Sequence, residues 1–419
     1  MIFAVLQFLF ILLVLCHEFR RRSTSIFLWG TLMVMFGIPH LLMLLVGEVE
    51  YPTWVLNKAS VFVSLFCIFY LIGVKLCPWH GKLIVPQMTK KQIQKIVRVF
   101  IFLLLALIVV RIYILYRMTG DLLNTSWGTN RSISEESILM QLYGYFYYSF
   151  SSILLVCIYW KMYKYVIIIV LTLLLGVILS RNRMEILPIF ISFIWYLLLY
   201  MKHINIKTII SIGLLAILGI YLIFALLIFR HAGSINTFLS NNIDVWEFNQ
   251  SIINMFFSDD GEFGLRNVFY YFIYHDNNFP FFGEGHTYIR ILLGFVPTSL
   301  SLGMKPSDFA IAMGQAWKPG SIGFSMHPTL FGDSYANFGM FGCIIGLFWG
   351  MFIGCLDSYA RRFTHNDIKG LLLLILISSR LITIARGSVY NGFMGLIVGI
   401  FILNIIFYFI SRRKIIFKY

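Results

Sequence analysis

Apolar runs long enough to enter a bilayer, with no charge inside them, constrain this chain more than any other feature. Ile101 to Val110 and Tyr165 to Leu179 carry none. About 20 such residues span the hydrocarbon core as a helix. Open sheets and bare loops are excluded there, because their backbone groups would go unpaired. Only 12% of the 419 residues are charged. That is about half the share of a soluble domain, too little to coat a water-exposed surface. The sequence therefore predicts an all-α, polytopic membrane protein.

Hydropathy predicts about eleven spans. They lie near 1–16, 26–46, 57–76, 97–116, 137–160, 165–180, 185–201, 208–229, 338–356, 370–385 and 392–411. The connecting segments fall into two alternating sets. One holds Arg20, Arg21, Arg22, Lys75, Lys82, Lys90, Lys91, Lys95, Arg98, Lys161, Lys164, Lys202, Lys207, Arg361, Arg362, Lys369, Arg412, Arg413, Lys414 and Lys418. Those are 20 of the 33 basic residues, against only Glu18, Asp357 and Asp367 among the acids. Cytoplasmic loops carry such an excess, so the net charge of +15 follows from topology and implies no nucleic acid. No cleavable leader pattern is present, which predicts a retained first helix that starts outside. Six cysteines sit in or beside apolar segments without zinc-like spacing, so neither a disulfide framework nor a thiolate metal site is expected.

The opposite face carries one large insertion. The expected organisation is helices 1–8 over 1–229, a large extracytoplasmic loop over 230–337, and helices 9–11 with a cytoplasmic tail over 338–419. Loops this long are usually functional. This one is rich in aromatics, which predicts short helices at the membrane interface. Its stretch "ILLGFVPTSLSLG", Ile291 to Gly303, is too short to span and reads as re-entrant or interfacial.

Arg111 and Arg380 lie well inside apolar runs. Arg111 reads equally as snorkelling to an interface, and Arg380 as facing a polar cavity. No acid lies at the centre of a span, which argues against an ion-coupled transporter. Further cations gather at the outer edge: Arg181 and Arg183 in "LSRNRMEILP", Arg230 and His231 in "FRHAG", Arg290 after His286, and Arg386. Together they read as a cationic bowl suited to phosphate; singly, each reads as an interface anchor. Asp259 and Asp260 form an acidic pair, read first as a solvated turn.

The most unusual stretch is "GSIGFSMHPTLFGDSYANFGMFG", Gly320 to Gly342. Glycines permit sharp turns and close approach. If the chain is helical from Leu330, Asp333 and Asn337 share a face at i, i+4. A histidine or carboxylate there suits proton transfer from a hydroxyl; a polar helix entry is the equal alternative.

This stretch resembles the polar signature of bacterial oligosaccharide repeat-unit polymerases, the O-antigen polymerase (Wzy) family. The matching positions are Gly332, Asp333, Tyr335, Asn337, Phe338, Gly339 and Gly342, with aspartate where many members have glutamate. The family's outer-edge arginine turn resembles "SRNR", Ser180 to Arg183. The resemblance implies a GT-C-like glycosyltransferase of the bacterial inner membrane, its active site facing the periplasm. It works without cofactor, nucleotide sugar or metal. It joins undecaprenyl-pyrophosphate-linked repeat units during lipopolysaccharide biosynthesis, with membrane lipids around it, and leaves open a chain-length regulator as partner. The implied base is His327, with Asp333 or Glu185 next. The implied substrate-binding set is Arg181, Arg183, Arg230, His231, Arg290, Tyr335, Asn337 and Arg380. The rival readings are an O-antigen ligase-like transferase, a flippase for the lipid-linked unit, and an acyltransferase.

Overall fold

The computed structural model describes residues 2–46, 51–77, 89–120, 138–200, 206–231, 246–251, 264–279, 282–296, 300–317, 325–361 and 368–416. Among them there is no strand, and eight helices are long and apolar enough to cross a membrane. The protein is a polytopic helical membrane protein. The other three expected spans coincide with helices α9 (Leu187–Tyr200), α10 (Ile206–His231) and α16 (Lys369–Ala385). The first and third are shorter than a full crossing.

The chain forms two units. One comprises Met1–Lys82, Phe257–Tyr359 and Arg380–Met394; the other comprises Leu83–Phe256, Ala360–Ser379 and Gly395–Tyr419. This division cuts across the three consecutive segments that hydropathy suggests. The second half of the outer loop belongs with the N-terminal helices.

The first unit contains α1 (Ile2–Arg21), α2 (Ile26–Leu32), α3 (Ile38–Val46) and α4 (Thr53–Leu76). From the loop it takes α11 (Leu265–Tyr274), α12 (His286–Leu292) and α13 (Phe309–Trp317). A further pair, α14 (Thr329–Phe338) and α15 (Ile345–Arg361), is joined by a 3-10 turn over Gly339–Ile344. The expected span near 338–356 thus starts nine residues earlier and is broken at Gly339, whose φ is +55°. The sequence also placed the loop helices at the headgroups. Within α11, Phe269 and Phe272 are fully buried in the protein. Phe269 packs on Phe36 and Phe62, with ring centroids 5.7 and 5.5 Å apart. Each such ring buries about 150–250 Å², so these α11 aromatics serve the core.

A glycine seam joins α15 to α4. Gly346 and Gly350 lie four residues apart on one helix face. A Cβ on Gly346 would lie 2.4 Å from the Phe66 carbonyl oxygen, and one on Gly350 would lie 2.2 Å from that of Tyr70. Small residues at this spacing let helix backbones touch in a membrane. Gly350→Ala is therefore expected to cost about 1–3 kcal/mol by overpacking, read as a lower midpoint for thermal unfolding in detergent. Gly30→Ala is the control, because nothing lies within 4 Å of its Cβ position. Equal midpoints for the two variants would rule out the close seam. At one end of the seam the Cys77 and Cys355 sulfurs lie 3.2 Å apart as free thiols. Nearby, Asp357 accepts hydrogen bonds from Ser23 Oγ (2.6 Å), Thr24 Oγ1 (2.8 Å) and Thr24 N (3.0 Å).

The second unit contains α5 (Lys90–Thr119), α6 (Ile138–Ser151), α7 (Ile153–Tyr159) and α8 (Tyr163–Ser180), with α9 and α10. Helix α5 begins where Thr89 N and Oγ1 both donate to Gln92 Oε1, at 3.2 and 3.0 Å. It stops at Gly120, in the left-handed conformation that glycine adopts without steric cost. Trp195 Nε1 of α9 donates to Ser378 Oγ of α16 at 2.9 Å.

Candidate functional site

In the first unit, Asp333 of the polar strip lines a cleft. The helix α14 starts after Pro328, and Thr329 N donates to the Arg386 carbonyl at 3.2 Å. Gly387, at φ +102°, makes this docking possible: a Cβ there would lie 2.5 Å from Thr329 N. The turn between α16 and α17 (Val389–Ile416) is thereby held against the entry to α14.

Asp333 and Asn337 share the inner face of α14, as their spacing predicts. Both are fully buried. Asp333 Oδ2 accepts from Thr287 Oγ1 at 2.8 Å, and its Oδ1 accepts from Asn337 Nδ2 at 3.3 Å. Asn337 Oδ1 in turn accepts from Thr287 N at 2.9 Å. One side chain of α14 therefore satisfies a free N–H at the start of α12, where no intrahelical partner exists. The other member of the pair, a carboxylate, is fixed on the cleft.

The cleft is lined by Thr287, Arg290, Asp308, Asp333, Ser388 and Tyr390, among others. The Arg290 guanidinium lies 4.4 Å from the centroid of the Tyr390 ring, and Arg290 Nη1 donates to the Pro306 carbonyl. His286 Nε2 donates to the Ser307 carbonyl at 2.7 Å. Burial holds His286 below the ordinary imidazole range. Asp308 accepts from Ala310 N at 3.1 Å and from Asn391 Nδ2 at 3.2 Å. The cleft thus offers two carboxylates, one fixed cation and several hydroxyls: groups able to take up a proton and to bind a polyhydroxylated or anionic ligand.

Other residues singled out in the sequence lie elsewhere. His327 is half-buried in the irregular segment leading into α14, outside the cleft lining. Tyr335 does not face the cleft. It is a core residue, with its ring edge-on to Phe62 and Phe269 at 5.4 and 5.6 Å. On α14 it sits two residues from Asp333, about 200° around the helix, so the two side chains point to opposite faces. Arg380 is buried in α16, outside the lining.

Glu185, Arg181 and Arg183 belong to the second unit, at the turn between α8 and α9. Arg111 Nη1 lies 3.3 Å from Glu185 Oε1, and Tyr143 Oη donates to Glu185 Oε2 at 3.3 Å. The guanidinium also lies 4.3 Å from the Tyr143 ring centroid. Arg111 therefore does not snorkel; it is buried against a carboxylate. Glu185, proposed from sequence as a base, is engaged in that pair. Tyr147 and Tyr148 donate to the Glu185 and Met184 carbonyls at 2.9 and 3.0 Å, so the tyrosines of α6 suspend the turn. Arg181 and Arg183 are buried with it, rather than lining an open bowl. Arg230 and His231 close α10, and their side chains lie outside the described residues, as do Asp259 and Asp260. Among the described residues no group of three or more His, Cys, Asp or Glu is placed to hold a metal.

Sequence reasoning did not find Thr287, Asp308, Ser388 or Tyr390. They come from three distant segments with no shared spacing, and only proximity in the fold joins them. No known protein family, curated protein or solved structure matches this chain.

Proposed function

We propose that this protein is a glycosyltransferase that polymerises lipid-linked oligosaccharide repeat units at the outer face of a bacterial inner membrane. The observation that carries the reading is Asp333, a carboxylate held by Thr287 and Asn337 on a polar cleft of a membrane protein, with Arg290 beside it. In this reading the acceptor's sugar hydroxyl attacks the anomeric carbon of the donor glycan. The hydroxyl proton passes to the Asp333 carboxylate, the bond from the anomeric carbon to the lipid diphosphate breaks, and the diphosphate leaves with the electron pair. General-base help of this kind contributes about 10²–10⁴-fold. Arg290 lines the same cleft as Asp333 and is assigned to the departing anion, since charge developing on a leaving group needs fixed positive partners. His327 is kept as the alternative base.

Deleting the gene in its host and resolving the surface glycans on a gel tests the reading. The expected result is loss of the long ladder with retention of a band carrying one repeat unit. Loss of the single-unit band as well would assign the protein to export or ligation.

A further inference from the structure

Among the described residues, the loop segment after the cleft carries five exposed apolar side chains. Leu292, Phe295, Leu300, Leu302 and Met304 are 82, 68, 71, 88 and 66% exposed. Leaving such side chains in water forgoes about 25 cal/mol for each Å² of apolar surface, and contiguous patches of this kind mark an interaction site. We infer that the two arms Ile289–Val296 and Leu300–Met304 form a membrane-dipping element, whose side chains enter the leaflet at the N-terminal end of α17.

Three observations carry the assignment. The first is depth. Arg290 stacks on Tyr390, in the first turn of a helix that crosses the membrane from Val389 to Ile410. Four residues on, Gly294 meets Met394, whose Sδ would lie 2.6 Å from a Cβ at Gly294. The arm therefore descends beside α17. Met394 lies about 7.5 Å along the helix from Val389 at 1.5 Å per residue, the depth at which interfacial segments bury their apolar faces. The second is the backbone. Irregular backbone at that depth requires internal partners. Leu293 N, Gly294 N, Val296 N and Met304 N all donate to carbonyls within the segment. The third is Lys305. Its ammonium turns back to donate to the Gly294 and Val296 carbonyls at 3.3 and 2.8 Å, tying the arms together and supplying donors where water is scarce.

The occupant is lipid, because the element continues the surface of a spanning helix. The inference requires only that the chain be a membrane protein, and it places the cleft at headgroup depth. The test uses the full native chain in phosphatidylcholine–phosphatidylglycerol vesicles. An apolar carbene precursor dissolved in the bilayer labels lipid-facing residues, hydroxyl radicals label water-facing ones, and peptides are read by mass spectrometry. Carbene adducts on Leu292, Phe295, Leu300 and Leu302 are expected at the level of those on Phe102 and Val109, exposed apolar residues of the spanning helix α5. Oxidation of Met304 is expected to fall well below that of exposed His275. Carbene adducts confined to the spans, with Met304 oxidised as readily as His275, would overturn the inference.

Discussion

Asp333→Asn is expected to remove the polymer while leaving a folded protein in the membrane. The amide has the carboxylate's shape. Its oxygen can accept from Asn337, and its NH₂ can donate to Thr287, whose hydroxyl has lone pairs to spare. The local network therefore survives the exchange. What is lost is the ability to take a proton, and the expected fall in chain-elongation rate is about 10²–10⁴-fold. The measurement is the glycan ladder of a deletion strain carrying the variant, with membrane protein level and the single-unit band as internal controls. A full ladder from Asp333→Asn would exclude this carboxylate as the base and pass the role to His327.

The largest effect on stability is expected at Arg111. Removing one partner of a buried ion pair leaves the other charge without compensation, at a cost of about 3–5 kcal/mol. Arg111→Ala is expected to lose that much, along with its contact on the Tyr143 ring. The combination Arg111→Met, Glu185→Leu should recover most of it, because apolar replacement of a whole buried pair is often neutral or stabilising. Thermal unfolding of the purified chain in detergent reads both. An Arg111→Ala protein as stable as the parent would mean that the pair is reached by water.

These two sites mark the boundary of what a single sequence discloses. The pairing of Asp333 with Asn337 was legible because helical periodicity alone puts residues i and i+4 together. Helices were legible at all eleven apolar stretches for the same reason, since the signal is local. The partners of Asp333 and Arg111 were not. Thr287 lies 46 residues from Asp333, and Glu185 lies 74 from Arg111, so no pattern links them. Arg111 inside an apolar run admits snorkelling or pairing equally until the turn bearing Glu185 is placed. Tyr335 misled for a related reason. Its neighbours in sequence are polar, but its neighbours in space are the rings of Phe62 and Phe269. The aromatics of loop helix α11 were ambiguous in the same way, since aromatics enrich both membrane interfaces and cores.

The carboxylate that ties α15 to the chain near α2 has a consequence for biosynthesis. Ser23 and Thr24 lie 334 and 333 residues ahead of Asp357. At about 5–20 residues per second, the ribosome delivers their acceptor roughly 17–67 s after them. Throughout that interval the first helices are already made, while the face that α15 and α14 will cover is still bare. The first unit can thus be assembled only near the end of translation, and the early helices need a temporary companion, lipid or an insertion factor, until then.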